Sequence, residues 1–165
     1  VQATIDGFHH PRAIRYRRGR HSPDGYYLDS YDYAGLRRHL LAPFRAGAIS
    51  VETARFDHRT DRAVSVRAAV PDGDAALLID GIFLHRDELA GAWDLSLFLQ
   101  VPFAVSYARM AVRDGAPADP HAMENRRYLE GQQLYLRTCR PEQRATLLID
   151  NAELTAPRLL RDGPA

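Results

Sequence analysis

The chain contains no lysine; all 22 of its basic residues are arginine. A phosphate loop of the form GxxxxGK followed by Ser or Thr uses its lysine to reach the β and γ phosphates. Residues 1–165 therefore contain no such loop, and Schiff-base catalysis through lysine is excluded by the same count. Cysteine is almost absent too. Cys139 stands alone, so no disulfide can form within these residues, and a reducing, cytoplasmic setting is expected. No apolar run approaches the roughly 18 residues that span a bilayer, so no membrane partner is expected. Charge of one sign is also missing: the net charge is +1, which offers no global attraction to nucleic acid.

What is present is the composition of an ordinary globular domain, with 45% apolar and 26% charged residues. At 165 residues the chain is expected to form a single domain, residues 1–165, burying about two-thirds of its unfolded surface. Val1–Ile5 reads as a short strand. Asp6–Ser30 reads as a long loop rich in Arg, His, Gly and Pro, and loops of that length are usually functional or disordered. Tyr31–Phe44 has helical periodicity, with Asp32 as its N-cap. Ser50–Phe56 and Ala63–Ala69 read as two strands joined by a polar turn. Ala75–Gly81 and Leu95–Val101 are apolar runs of the kind that form strands buried on both faces of a parallel sheet. Phe103–Arg113 and His121–Thr138 read as helices, and Ala145–Asp150 as a last strand. Strands alternating with helices predict a three-layer α/β fold.

Two acids stand where chemistry is expected. Asp6 and Asp80 each end a predicted strand, at the edge where open α/β sheets bind ligands, and each is followed by glycine. An acid there can take a proton from a substrate hydroxyl or hold Mg²⁺ through water; the bland alternative is a loop cap. Asp150 also ends a strand, but nothing titratable clusters with it. Arg12, Arg15, Arg17, Arg18 and Arg20 form an arm that can grip phosphate or stack on bases. Asp24, Asp29 and Asp32 follow closely enough to neutralise it. Arg109 and Arg113, spaced i, i+4, share one helix face before the Gly/Pro/Asp-rich stretch Asp114–Pro120. The seven histidines have no zinc-site spacing.

Taken in order, several segments resemble the uridine kinase-like branch of P-loop kinases, the phosphoribulokinase/uridine kinase type. They are Asp6-Gly7-Phe8-His9, Tyr26-Tyr27-Leu28-Asp29-Ser30-Tyr31-Asp32, Phe56-Asp57, Leu78-Ile79-Asp80-Gly81-Ile82-Phe83 and Arg109 to Arg113-Asp114. Arg15 to Arg20 and Gly131-Gln132-Gln133-Leu134-Tyr135 are closest to actinobacterial-type members. The resemblance implies a P-loop NTPase-type parallel sheet and ATP-dependent phosphorylation of a hydroxyl on a uridine-like nucleoside or similar small molecule, with ATP and Mg²⁺. It makes Asp6 the base for the acceptor hydroxyl and puts Asp80 near Mg²⁺. Arg109 and Arg113 become lid residues on the ATP phosphates. His9, Arg12, Asp29, Phe56 and Arg127 become acceptor-pocket residues, under a flap formed by the hairpin 50–69. His58 lies near the flap histidine of the family but out of register.

The family opens with a strand, the phosphate loop and a helix, and residues 1–165 start at what corresponds to the second strand. The expectation is a chain truncated at its N-terminus, missing its first, central strand, and inactive by itself. Two other functions stay open: a non-catalytic binding module that keeps the acceptor pocket, and an RNA-binding protein using the arginine arm.

Overall fold

The computed structural model describes residues 1–163. It is a mixed α/β fold with both parallel and antiparallel sheets, and the chain folds as two compact units. Residues 1–20 and 28–84 make the first; residues 21–27 and 85 onward make the second.

The first unit is built on β1 (Gln2–Thr4) and β4 (Leu78–Asp80), which run parallel, Gln2 opposite Leu78 and Thr4 opposite Asp80. The segment expected to be a long loop is instead largely helical. A 3-10 turn spans Ile5–Phe8 and α1 spans Arg12–Arg15, while α2 (Pro23–Asp29) begins in the second unit and ends in the first. Ser22 explains α2: its Oγ accepts from the Gly25 amide at 3.0 Å, and Pro23 supplies a first-turn φ without needing a donor. Next come α3 (Tyr33–Leu36), a π-helical turn over Arg37–Leu41, and α4 (Ala42–Arg45). Asp32 caps α3 as expected, its Oδ1 accepting from the Gly35 amide at 2.8 Å. The widened turn ends two residues before Pro43, whose ring clashes with the carbonyl four residues back in an ordinary helix. β2 (Ser50–Asp57) and β3 (Arg62–Ala69) form the expected antiparallel hairpin. Ile5, Phe8, Leu36, Leu40, Val51 and Phe83 are fully buried and form the core of this unit.

In the second unit, β5 (Leu97–Gln100) pairs parallel with β6 (Leu147–Asp150). β7 (Arg158–Asp162), a strand not anticipated from the sequence, adds antiparallel to β6. α5 spans Phe103–Asp114, α6 Arg126–Cys139 and α7 Pro141–Arg144. The buried face of α6 carries Leu129, Tyr135 and Cys139, and the Cys139 Sγ lies 3.2 Å from the Tyr27 hydroxyl. Gly131 lets Tyr26 and the Pro23 carbonyl come close: a Cβ there would fall 2.7 Å from the Tyr26 ring.

The two apolar runs expected to be buried on both faces are not. Leu78 on β4 is 63% exposed and Leu99 on β5 is 52% exposed. β4 pairs with β1 and β5 with β6, in separate sheets. Among the described residues, no helix is long and apolar enough to cross a membrane.

Candidate functional site

Asp6 sits in the 3-10 turn that follows β1, two residues past the Thr4–Asp80 register pair. Because β1 and β4 are parallel, both acids leave the sheet at its carboxyl edge. The glycine after each has a packing reason. A Cβ on Gly7 would lie 2.7 Å from the Ala54 Cβ, so glycine lets the hairpin approach the Asp6 turn. Gly81 has φ of +140° and abuts Ile5, where a Cβ would fall 2.1 Å from Cγ2.

The Asp6 carboxylate is half exposed, and the Tyr31 hydroxyl donates to its Oδ1 at 3.2 Å. Tyr31 reaches it because residues 8–10 lie alongside residues 30–32: the Asp32 amide donates to the Phe8 carbonyl and the His10 amide to the Ser30 carbonyl. His9 Nδ1 is 2.9 Å from the Asp6 carbonyl. A carbonyl only accepts, so Nδ1 carries the proton and Nε2 the lone pair. Burial pushes the His9 pKa down to about 4, against the pull of the Asp6 carbonyl and carboxylate, with His58 and Arg15 pushing the same way as burial. His9 is therefore neutral at pH 7. Its ring packs on Tyr31 and on His58, both at 4.5 Å between centroids.

His58 is held there by the arginine arm. The Arg12 amide donates to Asp61 Oδ1 at 2.9 Å and its guanidinium to the Arg59 carbonyl at 3.3 Å. Arg15 is 3.4 Å from both the His58 carbonyl and Asp61. The tip of the β2–β3 hairpin is thus latched to α1. Phe56, half buried on β2, pairs in register with Ala63. Arg17 and Arg18 both bind Asp29, whose side chain is 2% exposed. Burial alone would raise the Asp29 pKa, but the hydrogen bonds from Arg17 and Arg18 hold it below the usual carboxylate range. Arg12, Arg15, Arg17 and Arg18, which suggested a nucleic-acid arm, are engaged by protein acceptors.

In the second unit, Arg109 on α5 donates to the Asn151 and Ala152 carbonyls, at 3.1 and 2.5 Å. Arg113, one turn on, is exposed and pairs with its neighbour Asp114 at 2.7 Å. Arg127 is buried, its guanidinium 5.4 Å from the centre of the Tyr26 ring. Asp150 is tied to Arg158 at 2.6 Å.

A search of the solved structures finds a chain described as a possible uridine kinase from Bacillus stearothermophilus. The likeness has a TM-score of 0.65 and 24% sequence identity, over 89% of this chain and 70% of that one. The fold is uridine kinase-like. No protein-family model matches the chain, and no curated protein does.

The structure brings Asp6, His9 and Asp80 to one end of the β1–β4 pair, and ties Arg12 and Asp29 into ion pairs and backbone contacts of the same unit. Sequence reasoning did not single out Tyr31 as a partner of Asp6. Its position follows from the pairing of residues 8–10 with 30–32, which leaves no local signal. Among the described residues, no group of three or more His, Cys, Asp or Glu side chains is arranged to hold a metal. Asp80 is exposed at the end of β4.

Proposed function

We propose that this chain belongs to an ATP-dependent phosphotransferase that phosphorylates a hydroxyl of a nucleoside or similar small molecule. The observation that carries the proposal is the pair Asp6 and Asp80 at the carboxyl edge of two parallel strands in a uridine kinase-like fold. In such a transfer the acceptor oxygen bonds to the γ-phosphorus, the bond to the bridging oxygen breaks, and ADP leaves. Asp6 accepts the hydroxyl proton, with Tyr31 holding Oδ1 and the second oxygen left for the acceptor. Mg²⁺, when bound, neutralises charge on the phosphates, and Asp80 would hold it through water. His9 and Phe56 are read as acceptor-side residues. Arg127, and Arg109 and Arg113 on α5, are read as acceptor-side and phosphate-side residues of the second unit.

The phosphate loop itself is proposed to come from residues outside the 165. Among the described residues, β4 has a ladder partner on one side only and β5 is an edge strand, and their leucines are exposed. An exposed strand edge of this kind pairs with a further strand, which covers its apolar surface.

One observation favours a second reading, a non-catalytic binding module. The chain offers no lysine for phosphates, and both terminal nitrogens of Arg109 are already engaged by carbonyls. The two are separated by assaying the full-length protein and its Asp6→Asn variant for transfer from ATP. Equal turnover by both would remove Asp6 from the mechanism, and no turnover by either would favour the module.

A further inference from the structure

The tip of the β2–β3 hairpin carries a carboxylate that its own turn does not use. The turn is shaped by Asp57, whose Oδ1 accepts from the Arg59 amide at 2.9 Å and whose Oδ2 accepts from the Thr60 hydroxyl at 2.7 Å. Asp61 closes the turn at a φ of +57°, a left-handed conformation that Gly, Asn and Asp adopt more readily than other residues. Its carboxylate serves α1 instead. Oδ1 accepts from the Arg12 amide at 2.9 Å and from the Arg15 guanidinium at 3.4 Å. Arg15 is 7% exposed, and its Nε makes no hydrogen bond among the described residues. A buried guanidinium without a carboxylate beside it is strongly disfavoured. Asp61 therefore keeps Arg15 at the tip, where the same guanidinium donates to the His58 carbonyl at 3.4 Å.

From the tip the contacts run inward to the proposed base. The His58 ring packs on the His9 ring, and the His9 ring on Tyr31. His9 and Tyr31 are the two side chains that hold Asp6. Nδ1–H of His9 donates to its carbonyl at 2.9 Å, and the Tyr31 hydroxyl donates to Oδ1 at 3.2 Å. An imidazole keeps one tautomer only while the hydrogen bond that selects it persists. Loss of the His58 ring lets His9 turn away from the Asp6 carbonyl and loosens its packing on Tyr31. All of these residues belong to the first unit.

We propose that Asp61 is a positioning residue for Asp6: it fixes the hairpin tip on α1, the tip fixes the His58–His9 stack, and the stack fixes the Asp6 turn and carboxylate. The proposal rests on the phosphotransferase reading for the step that Asp6 performs, but one arm of its test needs no turnover. The full-length protein is compared with its Asp61→Gly variant, which suits the positive φ and deletes only the carboxylate. At pH 7, long-range ¹H–¹⁵N NMR of the imidazoles should show His9 as the Nδ1–H tautomer in the wild type and as a mixture of tautomers in Asp61→Gly. With ATP, Mg²⁺ and uridine, Asp61→Gly should lower kcat by about 10-fold, within the range of a misplacement transmitted from outside the site, with the KM for ATP unchanged. In an Asp6→Asn background the same change should lower kcat no further, because residues that act through one carboxylate are not additive. Asp61→Asn tolerates that φ and keeps an acceptor for the Arg12 amide, so it should recover part of the loss. Should Asp61→Gly fail to fold by circular dichroism, His58→Ala removes the ring at the next contact and should give the same tautomer mixture and the same fall in kcat. An unchanged His9 tautomer, or an unchanged kcat in a protein that turns over, would overturn the proposal. So would an equal loss of kcat with and without the Asp6 carboxylate. A tautomer change in a protein whose wild type transfers no phosphoryl group would uphold the chain of contacts and sink the kinase reading.

Discussion

The turn that carries Asp6 and the helix that carries Arg109 and Arg113 are built in opposite ways. Around Asp6 every neighbour is tied. Tyr31 holds the carboxylate, His9 holds the backbone carbonyl, and Arg12 and Arg15 latch the hairpin that brings His58 onto His9. On α5, Arg109 is bound to backbone carbonyls, Arg113 pairs with the adjacent Asp114, and Val112 beside it is exposed. A site that positions a proton acceptor needs rigidity before substrate arrives, whereas side chains that close on phosphate can be ordered by the phosphate itself. The difference teaches that the Asp6 turn is held by its own neighbours, whereas α5 keeps Arg113 on an exposed face.

The largest effect should come from removing the proposed base. Asp6→Asn in the full-length protein is expected to lower kcat by about 10²-fold or more, the usual size of a general-base contribution, with the KM for ATP unchanged. Steady-state kinetics checks it, and a loss seen only in KM would move Asp6 from chemistry to binding.

Next in size is the packing that brings β1 and β4 together. Gly81→Ala puts a Cβ against Ile5 at a φ of +140°, and should cost roughly 1–3 kcal/mol in urea unfolding. The same change at Gly47, which has open space around it, meets no such wall and isolates the strain of a positive φ from the collision.

His9 sharpens the comparison through pH. Its folded pKa, about 4, lies below its ordinary value of 6.5, so the unfolded chain binds the extra proton first. Stability from this group is therefore complete above pH 6.5 and is lost as pH falls from 6.5 toward 4, by on the order of 1–3 kcal/mol. Thermal unfolding of wild type and His9→Phe across that window should show a weaker pH dependence in the variant. Parallel curves would mean that His9 is not buried neutral.

The smallest effects are expected on α5. Arg109→Ala loses two bonds to carbonyls and should cost about 1 kcal/mol of stability. Arg113→Ala should stay within about 0.5 kcal/mol, as exposed pairs do, while raising the KM for ATP several-fold. If Arg113→Ala changed only the KM for the acceptor, α5 would belong to the acceptor half and the contrast would break.

Much of this arrangement was legible in the sequence, for physical reasons that can be named. The apolar run ending in Asp80, the cap at Asp32 and the hairpin between residues 50 and 69 all follow from local periodicity and turn chemistry, which act over a few residues. α2 was signalled by Ser22-Pro23 but hidden inside a segment whose glycines and arginines read as loop. β7 has no clean alternation, since Leu159 and Leu160 are adjacent, and it exists because β6 offers an edge. The choice of Asp29 by Arg17 and Arg18 was not legible: Asp24 and Asp32 are as near along the chain, and only the fold decides between them. The exposure of Leu78 and Leu99 was likewise beyond the sequence, because an apolar run states what a strand would bury and not what is there to bury it.

The central claim is that this fold moves a phosphoryl group onto a hydroxyl, and ³¹P NMR of the full-length protein with ATP, Mg²⁺ and uridine tests it most directly. The account predicts ADP and a new phosphate ester appearing in equal amounts, dependent on the acceptor. ATP left intact by folded protein, or hydrolysed to inorganic phosphate at the same rate with and without acceptor, would contradict it.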